Sequence, residues 1–263
     1  MSANSEMLLR LASALLIFSA MAAWEWRAPR RKLALGRTRW SGNLGILLVD
    51  ILLVRLLVPT AAVGMALLAP ERGWGVLNLL HVPFWPAAAV SVVALDLTIY
   101  AQHVVFHRVP WLWRVHRMHH ADVEIDVSTG LRFHPIEILL SLAIKMAAVL
   151  AFGAPAAAVV VFEVLLNATA MFNHSNVRLP PRLDRAARFF IVTPQMHEVH
   201  HSAERPETDS NFGFNLPWWD RLFGTYREKP RAGDDVVIGL PAFRDSSEAK
   251  LLRMLAQPFR RET

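Results

Sequence analysis

The sequence predicts an all-α, polytopic membrane protein with about four to five transmembrane or re-entrant helices and a cytoplasmic helical cap. Three observations carry this prediction. Of 263 residues, 54% are hydrophobic and mean hydropathy is +0.30, too apolar for an ordinary soluble domain. Five apolar stretches approach the roughly 20 residues that a spanning helix needs. Ten of the eleven histidines fall between His103 and His201, many at helical spacings. The chain has no cysteine, which excludes disulfides, iron–sulfur clusters and thiolate zinc sites. Its net charge of +6 comes from basic residues beside apolar stretches, so the membrane surface and not nucleic acid is the expected partner.

The first apolar stretch, residues 7–23, ends in Trp24-Glu25-Trp26, where tryptophan fits an interfacial anchor. A cleavable signal peptide would carry its charge first; here the strong basic run follows the apolar one, which favours a retained span. The second stretch, 44–69, is interrupted by Asp50, Arg55 and Pro59, and the third is 85–106. The fourth and fifth, 136–152 and 155–172, meet at Gly153-Ala154-Pro155. Both are short, so they form a hairpin that dips into the bilayer or just crosses it.

Charge bias sets the sides. Arg27, Arg30, Arg31, Lys32, Arg37 and Arg39 mark the first connection as cytoplasmic, whereas residues 70–84 carry only Arg72 and fall opposite. Following the spans from there brings ten histidines and the C-terminus to the cytoplasmic side. His81 lands on the other side and is not expected to bind metal. Three regions result: an N-terminal transmembrane region, 1–84; a histidine-rich domain, 85–230; and a polar, partly ordered tail, 231–263.

The histidines form clusters. His103 and His107 are spaced i, i+4 at the end of the third span, and Asp96 and Tyr100 extend the same helical stripe. A carboxylate inside an apolar span is expensive and usually functional. Asp96 is therefore a candidate to accept the second ring N–H of a ligating histidine. His116, His119 and His120 form one HxxHH, and His197, His200 and His201 a second. Each presents rings at i, i+3 and i+4. His134, before Pro135, and His174, in Asn173-His174-Ser175-Asn176, complete the set. Ten imidazoles exceed what one ion can use; two ions with four or five nitrogens each fit. Imidazole suits iron, zinc, copper and nickel alike, so ligand type leaves the metal open. A catalytic site facing hydrocarbon favours redox chemistry, because hydrocarbon offers little to hydrolyse.

The order DxxxYxxHxxxH (Asp96–His107), HxxHH, FHPxE (Phe133–Glu137), NHxN (Asn173–Asn176) and a final HxxHH resembles the fatty acid hydroxylase / sterol desaturase superfamily. Pro110-Trp-Leu-Trp113, Thr193-Pro-Gln-Met-His197, Asn211-Phe-Gly213 and Trp219-Asp-Arg-Leu-Phe-Gly-Thr-Tyr226 extend the likeness over about residues 90–228. The resemblance implies two non-haem iron ions, O₂ as cosubstrate and hydroxylation or desaturation of a lipid such as a fatty acyl chain or sterol. It implies His103, His107, His116, His119, His120, His197, His200 and His201 as ligands, with His174 and His134 matching further family histidines. Val104 stands where the family more often has arginine. The resemblance further implies electrons from an external donor, a ferredoxin, a cytochrome b5-like protein or a reductase, since no fused haem domain is expected. The composition looks bacterial, which places the chain in an inner membrane.

Two other readings use fewer of these residues. His197-Glu198-Val199-His200-His201 satisfies HExxH, the zinc-protease pattern with Glu198 as base. It leaves eight histidines unexplained. A haem carrier or metal transporter needs facing ligands or a polar line near the midplane. Asp50, Arg55, Asp96, Lys145 and Glu163 form no evident line. Trp218 and Trp219 read as interfacial or packing residues, and Arg114, Arg117 and Arg132 as surface groups that meet headgroups or an acidic donor.

Overall fold

A computed structural model describes residues 3–58 and 61–262. Among the described residues the five apolar stretches are helical apart from Val58 and Pro155, and no strand forms beyond the isolated bridges Pro29–Val177 and Ser202–Ile238. Helix α1 is Ala3–Arg27, α2 Arg37–Leu57, α3 Ala61–Glu71, α4 Val76–Leu79 and α5 Phe84–Arg108. Next come α6 Pro110–His120, α7 Pro135–Phe152 and α8 Ala156–Asn173. The cap adds α9 Pro181–Ala187, α10 Pro194–His200, α11 Arg205–Thr208, α12 Trp218–Leu222 and α13 Leu251–Ala256.

By length and composition, five segments can cross a membrane: Leu8–Arg27, Thr38–Leu79, Phe84–Arg108, Pro135–Phe152 and Ala156–Asn173. The expected second span is two helices, α2 and α3; Pro59 lies outside the described residues. Helices α7 and α8 have 18 residues each, about 27 Å, close to the hydrocarbon thickness. Their turn closes on Gly153, whose φ of 71° is left-handed. Gly75 presses on that turn: a Cβ there would stand 2.2 Å from the Gly153 nitrogen.

The membrane core joins α3, α5, α7 and α8 through Leu95, Ile99, Val149, Val159 and Phe162. Ala62, Ala66 and Ala69 form one buried stripe on α3, the small-residue packing that lets helices approach in lipid. Helix α1 lies along α8, where Glu163 pairs with both Arg10 of α1 and Lys145 of α7.

Above this bundle the cap is tightly knit. Residue Pro110 pushes Val109 into an extended conformation (φ −92°, ψ 117°), ending α5 and starting α6 at once. Helix α6 therefore folds back onto α5. The segment 231–263, expected as a partly ordered tail, is built into the cap instead. Met254 of α13 packs with Ile46 and Met118, and a Cβ at Gly42 would stand 1.8 Å from the Ala249 carbonyl oxygen. Arg114 donates to Pro258 O (2.7 Å), and Arg117 to Gln257 O (2.8 Å) and Arg260 O (2.5 Å). Arg132 is fully buried, donating to Met118 O and Asn43 Oδ1. Arg117 and Arg132 are thus internal struts and not the surface groups expected, because buried carbonyls at chain reversals need donors that helices do not supply.

Candidate metal centre

Four chain segments bring nine histidines together in two groups. His103 and His107 of α5, His116 and His120 of α6 and His200 of α10 form one; His119 of α6, His174 after α8, and His197 and His201 of α10 form the other. Within each group, one nitrogen per ring lies within 4.8 Å of all the others. Each HxxHH divides the same way. Its i, i+4 pair serves one group and its middle ring the other, because i+3 is rotated off the shared face. The groups touch where the His120 and His201 rings stack at 4.6 Å.

The local sequence sets these positions. Helix α10 starts at Pro194 with Thr193 as N-cap, accepting from Met196 N, and Thr193 itself donates to Asp184 at 2.6 Å. Behind the rings, an outer layer of acceptors fixes orientation. His103 Nδ1 donates to Phe212 O (2.8 Å), His116 Nδ1 to Glu137 (2.7 Å) and His200 Nδ1 to Ser210 O (2.7 Å). In the second group His119 Nδ1 donates to Arg132 O (3.0 Å) and His174 Nδ1 to Ala170 O (2.7 Å). His107 Nδ1 meets Asp209 at 3.2 Å.

A ring that donates through Nδ1 has only a lone pair at Nε2. Yet His103 Nε2 lies 3.1 Å from His116 Nε2 and 3.0 Å from His200 Nε2, and His119 Nε2 lies 3.0 Å from His174 Nε2. Acceptors facing acceptors at that range repel unless a cation sits between them. His107 Nε2 and both nitrogens of His201 also lack any hydrogen-bond partner. Metal–imidazole bonds of about 2.1 Å at right angles separate neighbouring nitrogens by about 3.0 Å, whereas tetrahedral bonds separate them by about 3.4 Å. The donor set therefore fits a metal cation in each group.

Burial, then the neighbouring imidazoles, pushes His119, His120, His197 and His201 well below the ordinary histidine value. Burial likewise pushes His200 down to about 3 and His174 to about 4. These rings are neutral at pH 7, the form a metal requires. The unfolded chain regains values near 6.5. Between about pH 4 and 6.5 it binds more protons than the fold, so stability rises with pH there. Metal-stripped protein is expected to lose thermal stability progressively as the pH drops from 6.5 to about 4, and to change little from 7 to 8, in a thermal-unfolding series.

Three expected site residues sit elsewhere. His134 caps α7: Nδ1 accepts from Ile136 N (3.2 Å) and Nε2 donates to Leu255 O (3.2 Å), so both nitrogens are engaged outside the two groups. Asp96 accepts from Trp219 Nε1 (2.8 Å) and Leu216 N (3.3 Å), not from a histidine. Tyr100 donates to Thr225 Oγ1 (2.8 Å) and stacks on Phe223. Both brace the 211–226 loop that carries the Phe212 carbonyl. His81 lies exposed in the α4–α5 connection, outside both groups. Sequence reasoning missed Glu137 and Asp209. Glu137 stood in the FHPxE motif; Asp209 carried no signal.

Residues 88–225 match the family model described as fatty acid hydroxylase, slightly more than half of the chain. The chain belongs to the fatty acid hydroxylase family. It is 31% identical over 192 residues to ornithine lipid hydroxylase OlsE of Rhizobium tropici, covering 69% of this chain and 55% of that protein. It is 28% identical over 177 residues to human alkylglycerol monooxygenase, covering 64% and 36%, and 26% identical over 146 residues to rat cholesterol 25-hydroxylase, covering 54% and 47%. The chain thus spans about half the length of these relatives, or less. No solved structure matches it. The matched region contains all nine grouped histidines.

In this family member the outer layer is asymmetric. Carboxylates back the first group at His116 and His107, while the rings of the second group that have an outer partner rest on backbone carbonyls. Glu137→Gln is expected to weaken metal binding in the first group about 10–100-fold. Chelator competition on the purified variant checks this.

Proposed function

We propose that the chain is a membrane-bound, non-haem di-iron monooxygenase that uses O₂ and electrons from an external donor to hydroxylate a lipid. The observation that carries this reading is the pair of imidazole groups, five and four rings, with lone pairs converging at about 3 Å. An all-imidazole donor set is compatible with iron, and a site facing hydrocarbon favours redox over hydrolytic chemistry. The activities named for the three relatives, all lipid hydroxylases or monooxygenases, support the substrate class. Residues 85–230 form the proposed hydroxylase domain, with the active site on the cytoplasmic side of a bacterial inner membrane. Desaturation differs from hydroxylation by small shifts of the substrate and is the second outcome of the same site.

Iron, if bound here, would supply O₂ activation and redox chemistry. The protein does the rest. His103, His107, His116, His120 and His200 would hold one ion and His119, His174, His197 and His201 the other. The outward hydrogen bonds of His103, His107, His116, His119, His174 and His200 would fix the tautomer of those rings, leaving a lone pair at Nε2 for a metal. Neutral rings add no countercharge, which would leave metal ions held here strongly electrophilic. Phe212 and Phe214 pack against His103 and exclude water from one wall.

The protease alternative needs Glu198 as a base beside the metal. Glu198 instead pairs with Arg30 at 2.7 Å and Arg31 at 2.8 Å. Glu198→Gln is expected to keep both metals and lipid oxidation within about threefold of wild type, whereas loss of a general base would lower turnover by about 10²–10⁴ with metal retained. The deciding experiment is anaerobic purification with metal analysis, then lipid profiling of deletion and complemented cells. Two irons per chain and one oxidised lipid class are expected; one zinc or one haem per chain overturns the reading.

A further inference from the structure

We infer that the cap carries its own membrane-insertion face, formed by residues 181–190 and 217–226, which lies in the interfacial layer of the bilayer beside α5. Leu183, Phe189, Phe190, Trp218, Leu222 and Phe223 are 46–72% exposed, an unusual density of large apolar groups on a segment outside the spans. Contiguous exposed patches of this kind mark protein or membrane contacts. The two segments form one surface: Trp218 Nε1 donates to Phe189 O at 2.7 Å, and the Arg221 guanidinium sits over the Phe189 and Tyr226 rings at 5.7 and 4.3 Å.

Three features select lipid as the occupant. The first is continuity with the spans. Trp219 reaches Asp96 and Phe223 stacks on Tyr100, so α12 packs along α5. Asp96 lies about 10 Å further down that span than His103. The 212–216 segment also meets α8, where Asn173 donates to Phe214 O and Thr169 to Asn215. The loop is therefore wedged between two membrane helices, and its apolar side faces outward at their level. The second is charge. Arg182, Arg185 and Arg221 are exposed around the patch, while the two acids of these segments turn inward. Asp184 pairs with Arg188 and Thr193, and Asp220 accepts from Phe212 N, Gly213 N and Thr225. An aromatic face rimmed by arginine suits acyl chains below and phosphates above. The third is reach. Ring contacts run from Phe223 to Tyr100 (5.5 Å), to Phe212 (6.3 Å) and to His103 (5.5 Å). Lipid held at this face stands beside the wall of the metal centre.

The absence of cysteine makes the test direct. Phe190→Cys and Leu222→Cys are each labelled with an environment-sensitive fluorophore in lipid nanodiscs, with Leu16→Cys on α1 as the lipid reference and Asp234→Cys as the aqueous one. Leu16 is 71% exposed and the Asp234 side chain 99%. Insertion to about 5–10 Å predicts that lipids bearing a shallow acyl nitroxide remove about half of the emission at 190 and 222, while aqueous iodide does little. If both labels follow position 234, the inference is overturned. If neither quencher reaches either label, the face is covered by protein, such as a second copy of the chain, and the inference is equally overturned.

Discussion

His119→Ala is expected to leave about one metal ion per chain instead of two and to bring lipid product below detection, a loss larger than the 10–100-fold typical of changes in the outer layer. His119 is fully buried, stacks on Phe133 at 4.5 Å and belongs to the group of four. Removing it leaves three rings and frees the Arg132 carbonyl from its donor. The surrounding packing cannot supply a replacement, since the nearest unassigned histidine, His134, is held by Ile136 N and Leu255 O. His200→Ala differs in a useful way. It leaves four rings in the group of five, so more metal is retained than in His119→Ala although turnover is lost in both. Metal analysis beside product analysis separates the two. Full metal and full turnover in both variants would break the assignment.

The contrast shows what spacing in a sequence can and cannot carry. Helical periodicity put His116, His119 and His120 on one short helix and marked eight of the nine grouped rings, whereas only the NHxN motif singled out the lone His174 and only FHPxE singled out His134, which lies outside both groups. It also marked the five membrane-length stretches, because each needs only its own composition. The division of each HxxHH between two groups was not legible. It depends on how α6 and α10 face each other across the site, a tertiary relation. Asp96 read as a histidine partner from its stripe on α5, but a long loop returns Trp219 to it from more than a hundred residues away. Arg117 and Arg132 read as surface residues from their charge. The chain reversals at 129–132 and 257–260 turned them inward, where bare carbonyls needed donors.

The same logic makes Arg39 the residue on which the cap depends most. Arg39→Met is expected to destabilise the protein by about 3–5 kcal/mol, the loss typical when one partner of a buried ion pair is removed. The Arg39 side chain is fully enclosed. Nε and Nη2 bind Asp122 in a fork at 2.6 and 2.8 Å, Nη1 binds Asp126 at 2.8 Å, and Nη2 also reaches Glu124 O and Thr129 Oγ1. Without it, two buried carboxylates face each other with only neutral donors left, Asn43 and Thr129 on Asp122 and Trp40 and Ser128 on Asp126. Lysine is expected to rescue little, because a single ammonium cannot reproduce the planar fork. The damage should not stay local. Asp122 lies two residues after His120, and Arg132, whose carbonyl orients His119, shares Asn43 with Asp122. Arg39→Met is therefore expected to lower metal retention in the group of four before it affects the group of five, read as the order of metal loss on heating in detergent. Equal loss from both groups would mean that Arg39 supports the fold as a whole and has no specific grip on the second site.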